Sequence, residues 1–147
     1  MGNKKGFTLI EILVSMGIFV LLVAITIVAI SPGRQFSQAN NARRQNDVLA
    51  ILNAVGQYSA DHGGTYPPSI TLTSTEISKT GIDLCSSIVP LYLTALPVDP
   101  GTNSGTTITV CSGSYRTNYQ IMKDANNRIA VFAPGTELGI TAISAYR

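Results

Sequence analysis

The stretch KKGFTLIEILVSMGIFVLLVAITIVAI, Lys4 to Ile30, decides how the rest of the 147-residue chain is read. From Phe7 to Ile30 the only charged side chain is Glu11. A helix over that run is about 36 Å long, slightly more than the roughly 30 Å hydrocarbon core of a bilayer. Leu, Ile, Val, Phe and Met occupy every side of such a helix, with no polar face, which argues for immersion in lipid or among other helices rather than for a surface-lying amphipathic segment. Lys4 and Lys5 precede the run, and no basic cluster follows until Arg43 and Arg44. The positive-inside bias therefore keeps residues 1–6 in the cytoplasm and sends the rest outward.

A cleaved secretory signal fits this stretch poorly. Its apolar region would be about 7 to 15 residues long and end at an A-x-A-like site, whereas this run is longer and exits through AISPGRQ. Within a membrane anchor, Glu11 is the anomaly: an acidic residue in lipid costs roughly 2.5 to 3.5 kcal/mol on insertion scales and marks function. A Glu close to the interface that snorkels to water is the plainer alternative.

The segment Lys4-Lys5-Gly6-Phe7-Thr8-Leu9-Ile10-Glu11 resembles the class III leader junction of type IV prepilins and of the pseudopilins of type II secretion and competence machines. The resemblance implies cleavage by a prepilin peptidase between Gly6 and Phe7, N-methylation of Phe7, and a role for Phe7 and Glu11 in assembly. On a helix, positions i and i+4 share a face, so the methylated amine of Phe7 and the Glu11 carboxylate, from one chain or from successive subunits, would offset each other in a setting where each alone is costly. The implied partners are the peptidase, an inner-membrane assembly platform and motor, membrane lipid, and copies of the chain itself.

The charge balance fits a structural role. Without Lys4 and Lys5 the chain has eight basic and eight acidic side chains, so no basic field points to nucleic acid. Arg43 and Arg44, adjacent on an expected helix, read as a solvated face or a salt bridge between subunits.

After the apolar run, Ser31-Pro32-Gly33 predicts a kink or a helix restart, with Ser31 able to cap a second helix that tolerates Pro32 in its first turn. The familiar pilin proline lies earlier in its helix, so the position of the bend is not carried over. Val48, Ile51, Leu52, Val55 and Tyr58 then recur at helical spacing and predict a stripe facing a head domain. Gly63 ends this helix as a left-handed cap. His62, the one histidine, has no metal-ligand partners in sequence and reads as a solvated capping residue. The stretch QYSADHGGTYP also resembles the helix exit of major pseudopilins and related pilins.

Beyond Tyr66 the composition turns to Pro, Gly, Ser and Thr. Thr71 to Thr80 reads as an exposed, hydroxyl-rich loop able to accept O-linked sugar, or simply as a polar loop. Ser86 to Leu93 is apolar and interrupted by Pro90. Leu96-Pro97-Val98-Asp99-Pro100 resembles the LP-x-DP segment of pseudopilin-like proteins. Thr106 to Cys111, Tyr115 to Met122 and Arg128 to Pro134 read as strands of an antiparallel meander, with Gly139 to Tyr146 a further edge strand.

Cys85 and Cys111 are the only cysteines and lie in the exported part, which favours a structural disulfide over catalysis or metal binding. The carboxylates are scattered and none stands beside a histidine and a nucleophile, so no enzyme, cofactor or metal site is expected. The resemblance raises calcium for Asp99, Asp124 and Glu137, but the C-terminal region FAPGTELGITAISAYR holds a single carboxylate and argues against it. The expected fold is α+β, with a long N-terminal helix, transmembrane in its first half, packed on a small antiparallel sheet in the manner of pilins. The expected segments are a cleaved leader at 1–6, a transmembrane and filament-core helix at 7–31, an amphipathic helix at 32–62 and a β-rich head at 63–147. The implied function is that of a filament subunit, either of a surface pilus or of a secretion or competence pseudopilus. A membrane-anchored binding protein that never polymerises is the third reading. The expected location is the inner membrane with the N-terminus in the cytoplasm, and then a cell-surface or periplasmic filament.

Overall fold

The computed structural model describes residues 6–147; Lys4 and Lys5 lie outside the described residues. It is an α+β architecture with two compact units, residues 1–36 and 37–147. In the first unit, α1 runs Leu9–Ile30. It is about 33 Å long at 1.5 Å per residue and long and apolar enough to cross a membrane. No residue of α1 is buried, so the fold itself leaves this apolar surface uncovered on all sides. Helix α2 (Pro32–Asp61) follows after one residue, Ser31, whose left-handed backbone (φ 46°, ψ 72°) interrupts the helical path. Pro32 can open α2 because a first-turn N–H has no intrahelical acceptor. The break expected at Ser31-Pro32-Gly33 is therefore observed.

In the second unit, the stripe on α2 is buried as its spacing predicts: Val48, Ile51, Leu52 and Val55 lie in one core with Ile77, Leu84, Ile88, Leu96, Tyr119, Ile121 and Val131. Burying each aliphatic side chain contributes about 1.5 to 3 kcal/mol, so this face, rather than helix propensity, holds α2 in place. The helix closes with a left-handed Gly63 (φ 62°), and the Gly64 N–H reaches back to the Ser59 carbonyl at 2.8 Å. Both features belong to a Schellman closure.

The sheet is antiparallel in sequence order: β1 (Thr75–Ser78), β2 (Arg116–Lys123), β3 (Ile129–Ala133) and β4 (Ile143–Tyr146). The pairs Ile121↔Val131 and Val131↔Ala145 fix its register. The β2–β3 turn is held by Asp124, whose Oδ1 accepts the N–H groups of Asn126 and Arg128. Two expectations are corrected. Thr71 to Thr80 is not all loop, because β1 occupies its middle, with Thr117 Oγ1 donating to the Ile77 carbonyl at 2.8 Å. Thr106 to Cys111 is not a strand; only the Leu96–Ile108 bridge forms there. Its route is set by a covalent bond instead: Cys111 is joined to Cys85, the first residue of the one-turn helix α3 (Cys85–Ile88), with a Cα–Cα distance of 5.4 Å. Val89-Pro90, just after α3, is cis.

Candidate functional site

The N-terminal junction is built by one local motif. Thr8 is the N-cap of α1, with extended backbone (φ −84°, ψ 152°), and Glu11 is three residues later. The Glu11 N–H donates to Thr8 Oγ1 at 3.3 Å, while Glu11 Oε2 accepts from both the Thr8 N–H and the Thr8 hydroxyl at 2.9 Å. This reciprocal capping box satisfies donors that the first helical turn otherwise leaves orphaned. It also places a carboxylate where the helix dipole favours it. Ser15 Oγ donates to the Glu11 carbonyl at 2.7 Å, so the next turn is tied to the same residue. The T-x-x-E pattern that specifies the box is visible in the sequence as Thr8-Leu9-Ile10-Glu11.

Phe7 and Gly6 lie before the cap. Helix α1 starts at Leu9, so in the uncleaved chain Phe7 precedes the helix. Its ring is 83% exposed. Gly6 has no heavy atom within 4 Å of the position a Cβ would take.

The family described as the prokaryotic N-terminal methylation motif matches residues 1–27. This is the class III leader of type IV pilins and pseudopilins. Such a leader implies cleavage by prepilin peptidase. No curated protein and no solved structure matches the chain. The motif ends inside α1, three residues before Ile30, and does not reach α2.

The second unit is organised around a residue whose role the sequence reading missed. Arg44 is 2% exposed, so neither the solvated face nor the salt bridge between subunits expected of it is found. Its Nε donates to Asp99 Oδ2 at 2.7 Å and its second terminal nitrogen to Asp99 Oδ1 at 3.1 Å. The remaining nitrogen donates to Glu137 Oε1 at 2.9 Å and Asn41 Oδ1 at 3.0 Å. A buried guanidinium is tolerable only when its fork is filled in this way. Asp99 comes from the LPVDP segment and also accepts the Gly101 N–H at 2.8 Å. One cation thus joins α2, that segment and the loop before β4. Glu137 is held below the usual carboxylate range by hydrogen bonds from Ser37, Arg44 and Asn40. Asp99 and Glu137, two of the three residues raised for calcium, therefore spend their oxygens on Arg44. Asp124 stands apart in the β2–β3 turn and binds Arg128 at 2.8 Å. Among the described residues no group of three or more His, Cys, Asp or Glu is arranged to hold a metal.

A second polar cluster surrounds the disulfide. Lys79 Nζ donates to Asp83 Oδ2 at 2.7 Å and to the Cys111 carbonyl at 3.0 Å. The Tyr115 hydroxyl donates to Asp83 Oδ1 at 2.7 Å, and burial together with Asp83 pushes its pKa up. His62 is at the end of α2, where its Nδ1 donates to the Tyr58 carbonyl at 2.8 Å. That is the capping position expected for it.

Proposed function

We propose that this chain is the structural subunit of a filament of the type IV pilus or pseudopilus class, held in the inner membrane by α1 until it is assembled. The observation that carries the reading is the class III leader standing directly before a helix whose apolar surface is bare on every side. Such a helix needs lipid first. In a filament the side chains of neighbouring helices replace that lipid. Lipid tails are as apolar as the helices, so close packing and charge pairing, rather than hydrophobicity, must favour the assembled state.

In this mechanism the peptidase cuts between Gly6 and Phe7 on the cytoplasmic side and the new Phe7 amine is methylated. Glu11 then pairs with a Phe7 amine, its own or that of the preceding subunit. The capping box supports the pairing step, because Thr8 already turns the carboxylate back toward the N-terminus. An extraction motor and a membrane platform supply the work of lifting each subunit. The LPVDP segment favours a pseudopilus, and the Cys85–Cys111 pair favours a pilus.

The test is to shear the cell surface, collect filaments and measure the intact mass of their subunit. The expected mass is that of a chain starting at N-methylated Phe7. A mature N-terminus beyond Ile30, or a processed subunit that stays in the membrane fraction as a monomer, would overturn the reading.

A further inference from the structure

The head contains a cleft of about 710 Å3 at the C-terminal end of α2. That volume is in the range of sites that hold small molecules. One wall is aromatic and rigid. The rings of Tyr58, on the last turn of α2, and His62, just past its end, stack with centroids 3.9 Å apart and planes 6° from parallel. Tyr92 meets Tyr58 edge-on at 5.8 Å, and His62 is tethered through Nδ1 to the Tyr58 carbonyl. With Nδ1 donating, the other ring nitrogen, Nε2, is left for a ligand. Tyr66 lines the cleft as well.

Beside Pro67, Pro68 and Ile70, the lining has a polar part. Lys123, at the end of β2, and Asn127, in the β2–β3 turn, form it together with Thr65. The Lys123 N–H donates to the Thr71 carbonyl at 2.8 Å, so the strand end is fixed to the loop that follows α2. No carboxylate lines the cleft. Arg43, Arg44, Lys79, Arg116 and Arg128 each have a carboxylate within salt-bridge distance, whereas Lys123 has none among the described residues. A cation without an internal partner therefore borders the same cleft as the stacked Tyr58 and His62 rings, with no carboxylate in the lining to neutralise it.

We propose that this cleft binds a sugar acid. The ring's C–H face would lie on the Tyr58, His62 and Tyr66 wall, its carboxylate on Lys123, and its hydroxyls on Asn127, Thr65 and His62 Nε2. A neutral sugar lacks the charge for Lys123, and an aromatic acid lacks the hydroxyls that the polar part of the lining would pair. The proposal does not depend on polymerisation, because every group belongs to one head.

The test uses the full chain in detergent micelles, labelled with 3-fluorotyrosine and followed by fluorine NMR, with D-glucuronate as probe and D-glucose and benzoate as controls. Glucuronate should shift the Tyr58 and Tyr66 resonances saturably in the millimolar range and leave those of Tyr115 and Tyr119 in place. Glucose and benzoate should each bind more weakly by about fivefold or more, the equivalent of a surface ion pair or a few hydroxyl contacts. Lys123→Met should weaken glucuronate by a similar factor and Lys123→Arg should keep it. Unchanged Tyr115 and Tyr119 signals in each variant report an intact fold. The proposal is overturned if no saturable shift occurs, if Lys123→Met binds as the parent does, or if benzoate binds as tightly as glucuronate.

Discussion

Arg44 and Asp99 form a two-pronged ion pair, at 2.7 and 3.1 Å, in which both residues are closed to solvent, at 2% and 1% exposure. The two are far apart in sequence and draw α2 and the LPVDP segment together. Removing one partner strands a charge in the core. Arg44→Met or Asp99→Leu alone should cost roughly 3 to 5 kcal/mol of stability, and the double change should recover much of that loss. Gly135→Ala should act on the same pair, because a Cβ there would stand 2.8 Å from Asp99 Oδ2. Denaturant unfolding of the full chain in detergent measures all four variants. A neutral Arg44→Met would show that the pair carries no stability.

The disulfide closes a loop with a sequence separation of 26. By chain entropy, a cross-link of that span is worth about 3.5 kcal/mol. Cys85 and Cys111 should therefore resist alkylation in the exported protein until reductant is added, and Cys85→Ser should lower stability by about that amount. Free labelling of both thiols without reductant would contradict the bond.

Acid should unfold the head. Hydrogen bonds from the Arg128 and Asn126 N–H groups and the Arg128 side chain hold Asp124 below its ordinary value. For Asp83, burial pushes upward, but the bonds from Lys79 and Tyr115 outweigh it. With Glu137 also lowered, these groups stabilise the fold above the ordinary carboxylate pKa, and that contribution is lost as pH falls through their folded values. Asp47 works the other way. Burial raises its pKa despite the hydrogen bond from Tyr119, so its contribution is lost as pH rises from 3.8 through the folded value. The net expectation is a melting temperature that falls steeply below about pH 4, with a shallower fall in Glu137→Gln. Identical acid limbs for parent and variant would remove Glu137 from this account.

On the proposed function, changes at Glu11 should separate insertion from assembly. Glu11→Leu should enter the membrane more readily than the parent, since a costly carboxylate is gone, and yet yield no sheared filament. Glu11→Asp should assemble in part. The membrane-fraction subunit, N-terminal methylation and sheared filament are to be compared for each variant. Parent-level filaments from Glu11→Leu would mean that the carboxylate only caps α1.

The apolar stripe of α2 was legible because Val48, Ile51, Leu52 and Val55 repeat at helical spacing, and the burial follows that phase. The same phase reaches back through Arg44 to Asn41, both buried. Read for position instead of polarity, Arg44 announced its burial; its partners could not be read, because Asp99 and Glu137 arrive from distant segments. The strand in Thr71 to Thr80 was hidden because Ile77 is the one apolar residue of β1 itself, although the β-branched threonines of the stretch favour extended structure. The same β-branched content made Thr106 to Cys111 look like a strand, where the bond to Cys85 holds the segment near α3. At the N-terminus the capping box was written plainly in Thr8-Leu9-Ile10-Glu11, but the oddity of a charge in an apolar run drew the reading toward assembly or snorkelling and away from the cap.

Asp47, Glu76, Asp83, Asp99, Asp124 and Glu137 each have a basic partner within the same head. Only Asp61 of the head carboxylates does not, among the described residues. Asp61, Lys123 and Arg147 are the charged side chains of the head outside these pairs among the described residues, and together with exposed pairs such as Arg116–Glu76 they are the ionic groups open to a neighbour. Mobile ions screen exposed charge over about 10 Å at moderate salt but reach poorly into a packed core. In the proposed fibre the Glu11 carboxylates and Phe7 amines would meet among the packed anchors, where dissolved ions reach poorly, so added salt should loosen contacts between heads before it loosens the middle.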